Sequence, residues 1–172
     1  MAKSDNIFLI GLMGVGKSTI GRKLADRLGK TFLDCDREIE DRTGVTIELI
    51  FEIEGEEGFR RREAAMLEEL TARSDVVIAT GGGAVLWPEN RERLKERGMI
   101  VYLNAPAKVL ARRTQTDKKR PLLQTEDRLA RLTELLRERE PFYLEIADVI
   151  INTDDLPMKK VVDRICRSLE SQ

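Results

Sequence analysis

The sequence contains no histidine. That removes the commonest general base and the commonest metal ligand, so any proton transfer falls to Asp, Glu, Lys, Tyr or water. Cysteine is scarce. Cys35 and Cys166 stand far apart, form no paired motif, and read as reduced, structural thiols. Long hydrophobic runs are missing too. The only early one, "IFLI" at Ile7–Ile10, is too short for a signal-peptide core or a membrane span. Nor does charge of one sign dominate: 30 Lys and Arg against 31 Asp and Glu leave a net charge of −1. That balance does not suit coating a nucleic acid or a membrane surface. The expectation is a cytoplasmic monomer that works on small molecules, with no nucleic-acid or membrane partner.

The chain has 172 residues, about one domain's worth, and enough to bury a sizeable core. Strand and helix signals alternate along it. "NIFLIGL", "TFLDCD", "DVVIAT", "MIVYLN" and "DVIINT" read as five short strands. Between them lie helical spacings: Ile20, Leu24 and Leu28 after the first strand, with Gly29 as a stop; short helices in "REIEDRT" and "TIELIFEIE"; a longer one over residues 56–72 with Phe59, Met66, Leu67 and Leu70 on one face. Pro88 and Pro106 open further helices. Residues 127–146 carry Leu129, Leu132, Leu135 and Leu136 on one side, and Val161, Val162, Ile165 and Leu169 face inward in the last helix. Such alternation predicts an α/β fold, a parallel sheet with crossover helices on both faces, in one domain.

Directly after the first strand stands "GLMGVGKST". Gly11, Gly16, Lys17 and Ser18 complete G-x-x-x-x-G-K-[ST] between a strand and a helix, the pattern of a phosphate-binding loop. Glycines let backbone N–H groups converge on an anion, and the following helix points its positive end at it. Lys17 can reach the outer phosphates and Ser18 can ligate Mg²⁺. A dinucleotide fingerprint would need glycine where Thr19 stands, so the loop reads as a site for a nucleoside triphosphate.

Four further stretches bear on where the phosphoryl group goes. "DCD" ends the second strand. Continued as a strand, it would point Asp34 and Asp36 to one face, one for a metal through water and the other for an acceptor hydroxyl; either could instead cap the next helix. "GFRRRE" sets Arg60 beside core-facing Phe59, either as an anion ligand or as part of a solvated charged face pairing with Glu56, Glu57 and Glu63. "TGGGAV" exposes bare backbone at Gly81, Gly82 and Gly83, where a ligand can approach closely, or where the chain simply makes a tight turn. "KKRPLL" sits in a polar loop where Arg120 can close over a triphosphate, or the segment is a flexible basic surface. In "REREPFY", Arg137 and Arg139 pair with neighbouring glutamates or bind an anion; composition does not choose between them.

Together and in this order, these segments resemble the shikimate kinases over essentially the whole chain. The resemblance implies transfer of the ATP γ-phosphoryl group to the 3-hydroxyl of shikimate, in aromatic amino-acid biosynthesis, with Mg²⁺ as cofactor. It implies a three-layer P-loop kinase fold with strand order 2-3-1-4-5, a substrate-binding segment over residues 35–63 and a mobile lid over residues 114–126. It implies ATP contacts from Gly14, Val15, Gly16, Lys17, Ser18, Thr19, Arg113 and Arg120, with Arg113 packed on adenine. Metal contacts fall to Ser18 and, through water, Asp34. Shikimate contacts fall to Asp36, Arg60, Gly81, Gly82, Gly83 and Arg139, and the catalytic group comprises Lys17, Asp36 and Arg120. The sequence departs from the family pattern in "NTDDLP", where some members carry basic residues that touch the nucleotide; Asp154 and Asp155 make this stretch acidic. The other readings are a related small-molecule kinase, such as one for gluconate, and a non-catalytic nucleotide-switched module.

Overall fold

The computed structural model describes residues 4–154 and 156–172; Asp155 of the acidic stretch lies outside them. The fold grows around β1 (Ile7–Ile10), which is buried along its whole length. It is flanked in parallel by β3 (Val76–Ala79) and β4 (Met99–Asn104), with Ile7 opposite both Val77 and Met99. β2 (Thr31–Asp34) and β5 (Val149–Asn152) add the edges, giving a five-stranded parallel sheet in the order 2-3-1-4-5. That is the predicted sheet.

Side chains alternate across the sheet, so each strand feeds two cores. Ile7, Leu9, Val77, Val101 and Leu103 face one way, against α1 (Lys17–Leu28) and α7 (Met158–Glu170). Phe8, Ile10, Ile78, Ile100 and Tyr102 face the other, against α3 (Ile47–Thr71), α4 (Pro88–Arg97) and α6 (Arg128–Ile146). Each such side chain taken fully from water is worth about 1.5–3 kcal/mol. The remaining helices are α2 (Cys35–Thr43) and α5 (Ala107–Arg113). No helix among the described residues is long and apolar enough to cross a membrane.

Two sequence expectations need correcting. The strand through "TFLDCD" ends at Asp34, and helix α2 starts at Cys35. Asp34 caps that helix, accepting from the Arg37 N–H at 3.2 Å, so Asp34 and Asp36 are not two teeth of one strand. Leu28 and Leu129 are 37% and 46% exposed. A repeat of four residues drifts about 40° per step on a helix of 3.6 residues per turn, so Leu28, at the end of its row, leaves the apolar face; Leu129 lies in the first turn of α6. The two helices read in residues 46–72 are both present: they share the label α3 but are separated at Gly55, whose φ of 72° and ψ of 179° are not helical.

The chain leaving β1 crosses one face of the sheet through α1 to reach β2, and the chain leaving β3 crosses the other face through α4 to reach β4. Their carboxyl ends therefore diverge, and ligands of open α/β sheets gather in such a crevice.

Candidate active site

The loop after β1 wraps the start of α1. Gly14 and Gly16 hold φ angles of 85° and 101°, which a side chain disfavours. Gly14 also has no room for one: a Cβ there would stand 2.6 Å from Thr114 Cγ2. Helix α1 begins on Gly16 without a side-chain cap and without an acidic residue in its first turn, leaving its first N–H groups open to an anion. Lys17 folds back over the loop, its Nζ donating to the carbonyls of Gly11 at 2.6 Å and Leu12 at 3.1 Å. Burial, then the nearby Arg120, lowers its pKa to about 7 against the pull of Asp36 and Asp34. The Ser18 hydroxyl donates to the Asp34 carboxylate.

Two cavities open over this end of the sheet. The larger, about 750 Å³, is bounded by Gly14, Gly16, Lys17, Ser18, Thr19 and Asp34 on one side and by Arg113 and Arg120 on the other. Val15 is different. Its side chain is 2% exposed and belongs to the core, while its carbonyl faces Arg113 Nη1 at 3.5 Å. Arg113 also reaches the Thr153 carbonyl at 3.3 Å. The smaller cavity, about 240 Å³, lies against Phe51, Arg60, Glu63, Arg139 and the three glycines. Asp36, Gly81, Gly82 and Arg120 border both cavities, so the two spaces meet at Asp36.

The small cavity is a buried charge cluster. Arg60 is 6% exposed, Arg139 1% and Glu63 0%. Arg60 Nη1 pairs with Glu63 Oε1 at 2.9 Å and Nη2 with Glu56 at 3.4 Å. Burial opposes the Arg60 charge, but Glu63 and Glu56 outweigh it and raise its pKa. At Arg139 burial outweighs the pull of Tyr143, Glu56 and Glu63 and lowers its pKa. Five atoms here are buried without a hydrogen-bond partner: Asp36 Oδ1, Arg60 Nε, Glu63 Oε2, and Nε and Nη1 of Arg139. Buried guanidinium donors without acceptors are costly, and a carboxylate supplies the two acceptors they lack. Asp36 is pushed up to about 7, first by burial, then by Glu63 and Asp34.

The open choices among arginines resolve here. Of "RRR", Arg60 enters the cavity, while Arg61 pairs with Glu57 and Arg62 with Glu54 on the surface. Arg139 is buried and Arg137 exposed. The glycines give way to side chains: a Cβ on Gly81 would collide with Glu63 Oε2 and one on Gly83 with Arg60 Nη2. Arg120 borders both cavities from the polar loop and is held in an ion pair with Asp117.

Sequence reasoning missed Glu63, which it treated as part of a solvated face. The signal was present, because 59, 63, 66, 67 and 70 share one helical stripe and only residue 63 is charged. It also missed Tyr143, whose hydroxyl donates to the Gly82 carbonyl, and Asp117.

Among the described residues, no group of three or more Cys, Asp and Glu is arranged to cage a metal. The donors beside the phosphate loop are the Ser18 hydroxyl and the Asp34 carboxylate, hard oxygens that suit Mg²⁺. That ion keeps much of its water and takes few protein ligands.

The family model described as "Shikimate kinase" matches residues 13–170. A shikimate kinase of Nitrosococcus oceani is 58% identical over 164 residues, 95% of this chain and 86% of the relative. One from Vibrio parahaemolyticus is 51% identical over the full length of both chains. The structure of an Acinetobacter baumannii shikimate kinase in complex with shikimate superposes with a TM-score of 0.95 at 49% identity, covering 98% of this chain and 94% of that one.

Proposed function

The chain belongs to the shikimate kinase family, ATP-dependent enzymes that phosphorylate shikimate, and from that premise we propose how its two cavities divide the reaction. The larger cavity takes the triphosphate on the backbone of residues 11–19. The smaller takes the acid, with Arg60 and Arg139 gripping its carboxylate and the glycine turn closing against its ring. The observation that carries this reading is the pair of buried arginines whose N–H groups lack acceptors in a cavity that opens onto the phosphate loop at Asp36.

Asp36 orients the acceptor hydroxyl and takes its proton. A pKa near 7 suits such a group, because a base is most effective when its pKa lies near the working pH. Phosphoryl transfer asks little base strength and much positioning and charge neutralisation. Lys17 supplies positive charge at the phosphate loop. Arg120 supplies it from the lid, residues 114–126, once it exchanges Asp117 for the phosphates. Arg113 packs on the adenine. The substrate-binding segment, residues 35–63, carries Asp36 and Arg60. The Ser18 hydroxyl and, through water, Asp34 would hold Mg²⁺, which would offset charge on the phosphate oxygens. The closed lid keeps water from competing with the acceptor. The enzyme works as a cytoplasmic monomer without nucleic-acid or membrane partners, in keeping with its near-zero net charge.

The test is ADP release from Mg·ATP with shikimate, with gluconate, with AMP and with no acceptor. Release that depends on shikimate alone is expected. Equal release with gluconate, or release independent of any acceptor, would overturn the acceptor assignment while leaving the phosphate loop intact.

A further inference from the structure

Tyr143 lies one turn beyond Arg139 on α6 and is fully buried. Its ring stacks on Tyr102 of β4, with centroids 5.0 Å apart and planes 26° apart. Ring packing alone is work that phenylalanine does equally well. The hydroxyl does something more. It donates to the Gly82 carbonyl, and it lies close enough to the Arg139 guanidinium for each to bias the other's charge. Gly82 and Arg139 are themselves neighbours, since a Cβ on Gly82 would stand 3.3 Å from Arg139 Nη1. One buried oxygen therefore ties the helix that carries the arginine to the turn that follows β3, across 61 positions of sequence.

Both tied groups need to be aimed before a ligand arrives. Arg139 has Nε and Nη1 buried without partners, so nothing but its surroundings sets the plane of its donors. The Gly82 carbonyl belongs to the same planar peptide as the Gly83 N–H, so anchoring one directs the other to the opposite side of the chain. Three successive glycines have little intrinsic preference to hold that plane. A site prepared in this way loses less freedom on binding.

We propose that the Tyr143 hydroxyl is a positioning group for the acceptor, holding Arg139 and the Gly81, Gly82, Gly83 turn in the arrangement that grips a small carboxylic acid. The proposal rests on the reading that Arg139 and the glycine turn bind the acceptor's carboxylate. Tyr102, the other ring of the stack, serves as the internal control: its hydroxyl faces Asn104 Oδ1 at 3.2 Å on its own strand.

Steady-state kinetics of the full chain test this. Tyr143→Phe keeps the ring and removes one oxygen. It should raise KM for shikimate about 5- to 20-fold, the scale of a buried group left unsatisfied, while KM for ATP and kcat stay within about twofold. Tyr102→Phe should leave all three unchanged. Arg139→Lys should cost less in the Tyr143→Phe background than in the natural chain, because the two groups act through one another. The proposal fails if Tyr143→Phe leaves the shikimate KM unchanged, raises both KM values alike, or is matched by Tyr102→Phe. Arg139→Ala separates the two layers of the argument. A raised shikimate KM there with none in Tyr143→Phe sinks this inference alone; an unchanged KM in Arg139→Ala sinks the carboxylate site and this inference with it.

Discussion

The two cavities sit side by side and are made in opposite ways. The nucleotide side is largely one contiguous stretch, residues 11–19, whose working parts are backbone N–H groups, a helix end and the Lys17 amine resting on two carbonyls. The acceptor side is assembled from α2, both halves of α3, the turn after β3, and α6, and its working parts are buried charged side chains. Backbone donors bind any phosphate chain that fits the loop. Discriminating one small acid needs side-chain donors locked at a chosen spacing, and only packing from several elements locks them. The cost of that locking is visible in the orphaned atoms of Arg60, Glu63, Arg139 and Asp36.

Substitutions should therefore separate the two sides. The largest effect is expected at the seam. Asp36→Asn should lower kcat about 10²- to 10⁴-fold, the usual worth of a positioned acid–base group, with ATP affinity unchanged by titration calorimetry. The same change should raise thermal stability at neutral and higher pH. Asp36 has a folded pKa of about 7, above that of an unfolded carboxyl. Its contribution is thus present at low pH and lost as pH rises from about 4 to about 7, and an amide escapes that loss. Near-normal turnover would remove Asp36 from the chemistry.

Arg60→Ala should come next, and on one side only. KM for shikimate should rise roughly 30-fold or more, as for truncating one member of a buried charge pair, while KM for ATP hardly moves. Glu63 is left buried without its partner, so the melting temperature should fall as well. Parallel rises in both KM values would show that the two cavities are not independent.

The smallest effect belongs to the nucleotide side. Burial holds Lys17 at about 7, and a bound triphosphate favours its charged form. At about pH 8 the binding of Mg·ATP should take up a fraction of a proton, fading as pH falls below about 6, where Lys17 is already charged. Calorimetry in two buffers of different ionisation heat measures it. No uptake at the higher pH would mean that Lys17 is charged before the nucleotide arrives.

The same contrast explains what could be read in advance. The loop after β1 was legible because its pattern lies in consecutive residues, with glycines whose φ values are near 85° and 101°. The three central strands were legible as short apolar runs buried on both faces, and the two edge strands as runs with one face buried. Arg60 could not be told from Arg61 and Arg62 by position in a charge run, since a helix turns neighbours about 100° apart and burial then separates them. Arg139 differed from Arg137 only by the face of α6 it occupies. Asp34 and Asp36 were misread geometrically, because the strand gives way to a helix between them. Glu63 was hidden by its charge, although it sits in an apolar stripe.

From its sequence alone this protein was committed to a parallel α/β fold with a glycine-rich loop between β1 and α1, because periodicity and local backbone geometry are properties of neighbours along the chain. Tertiary structure alone decided which arginines are buried, that Glu63 faces Arg60, and that Tyr143 joins α6 to the glycine turn. Those are contacts between distant segments. Their energies come from desolvation and from partners that only the packed sheet brings within reach.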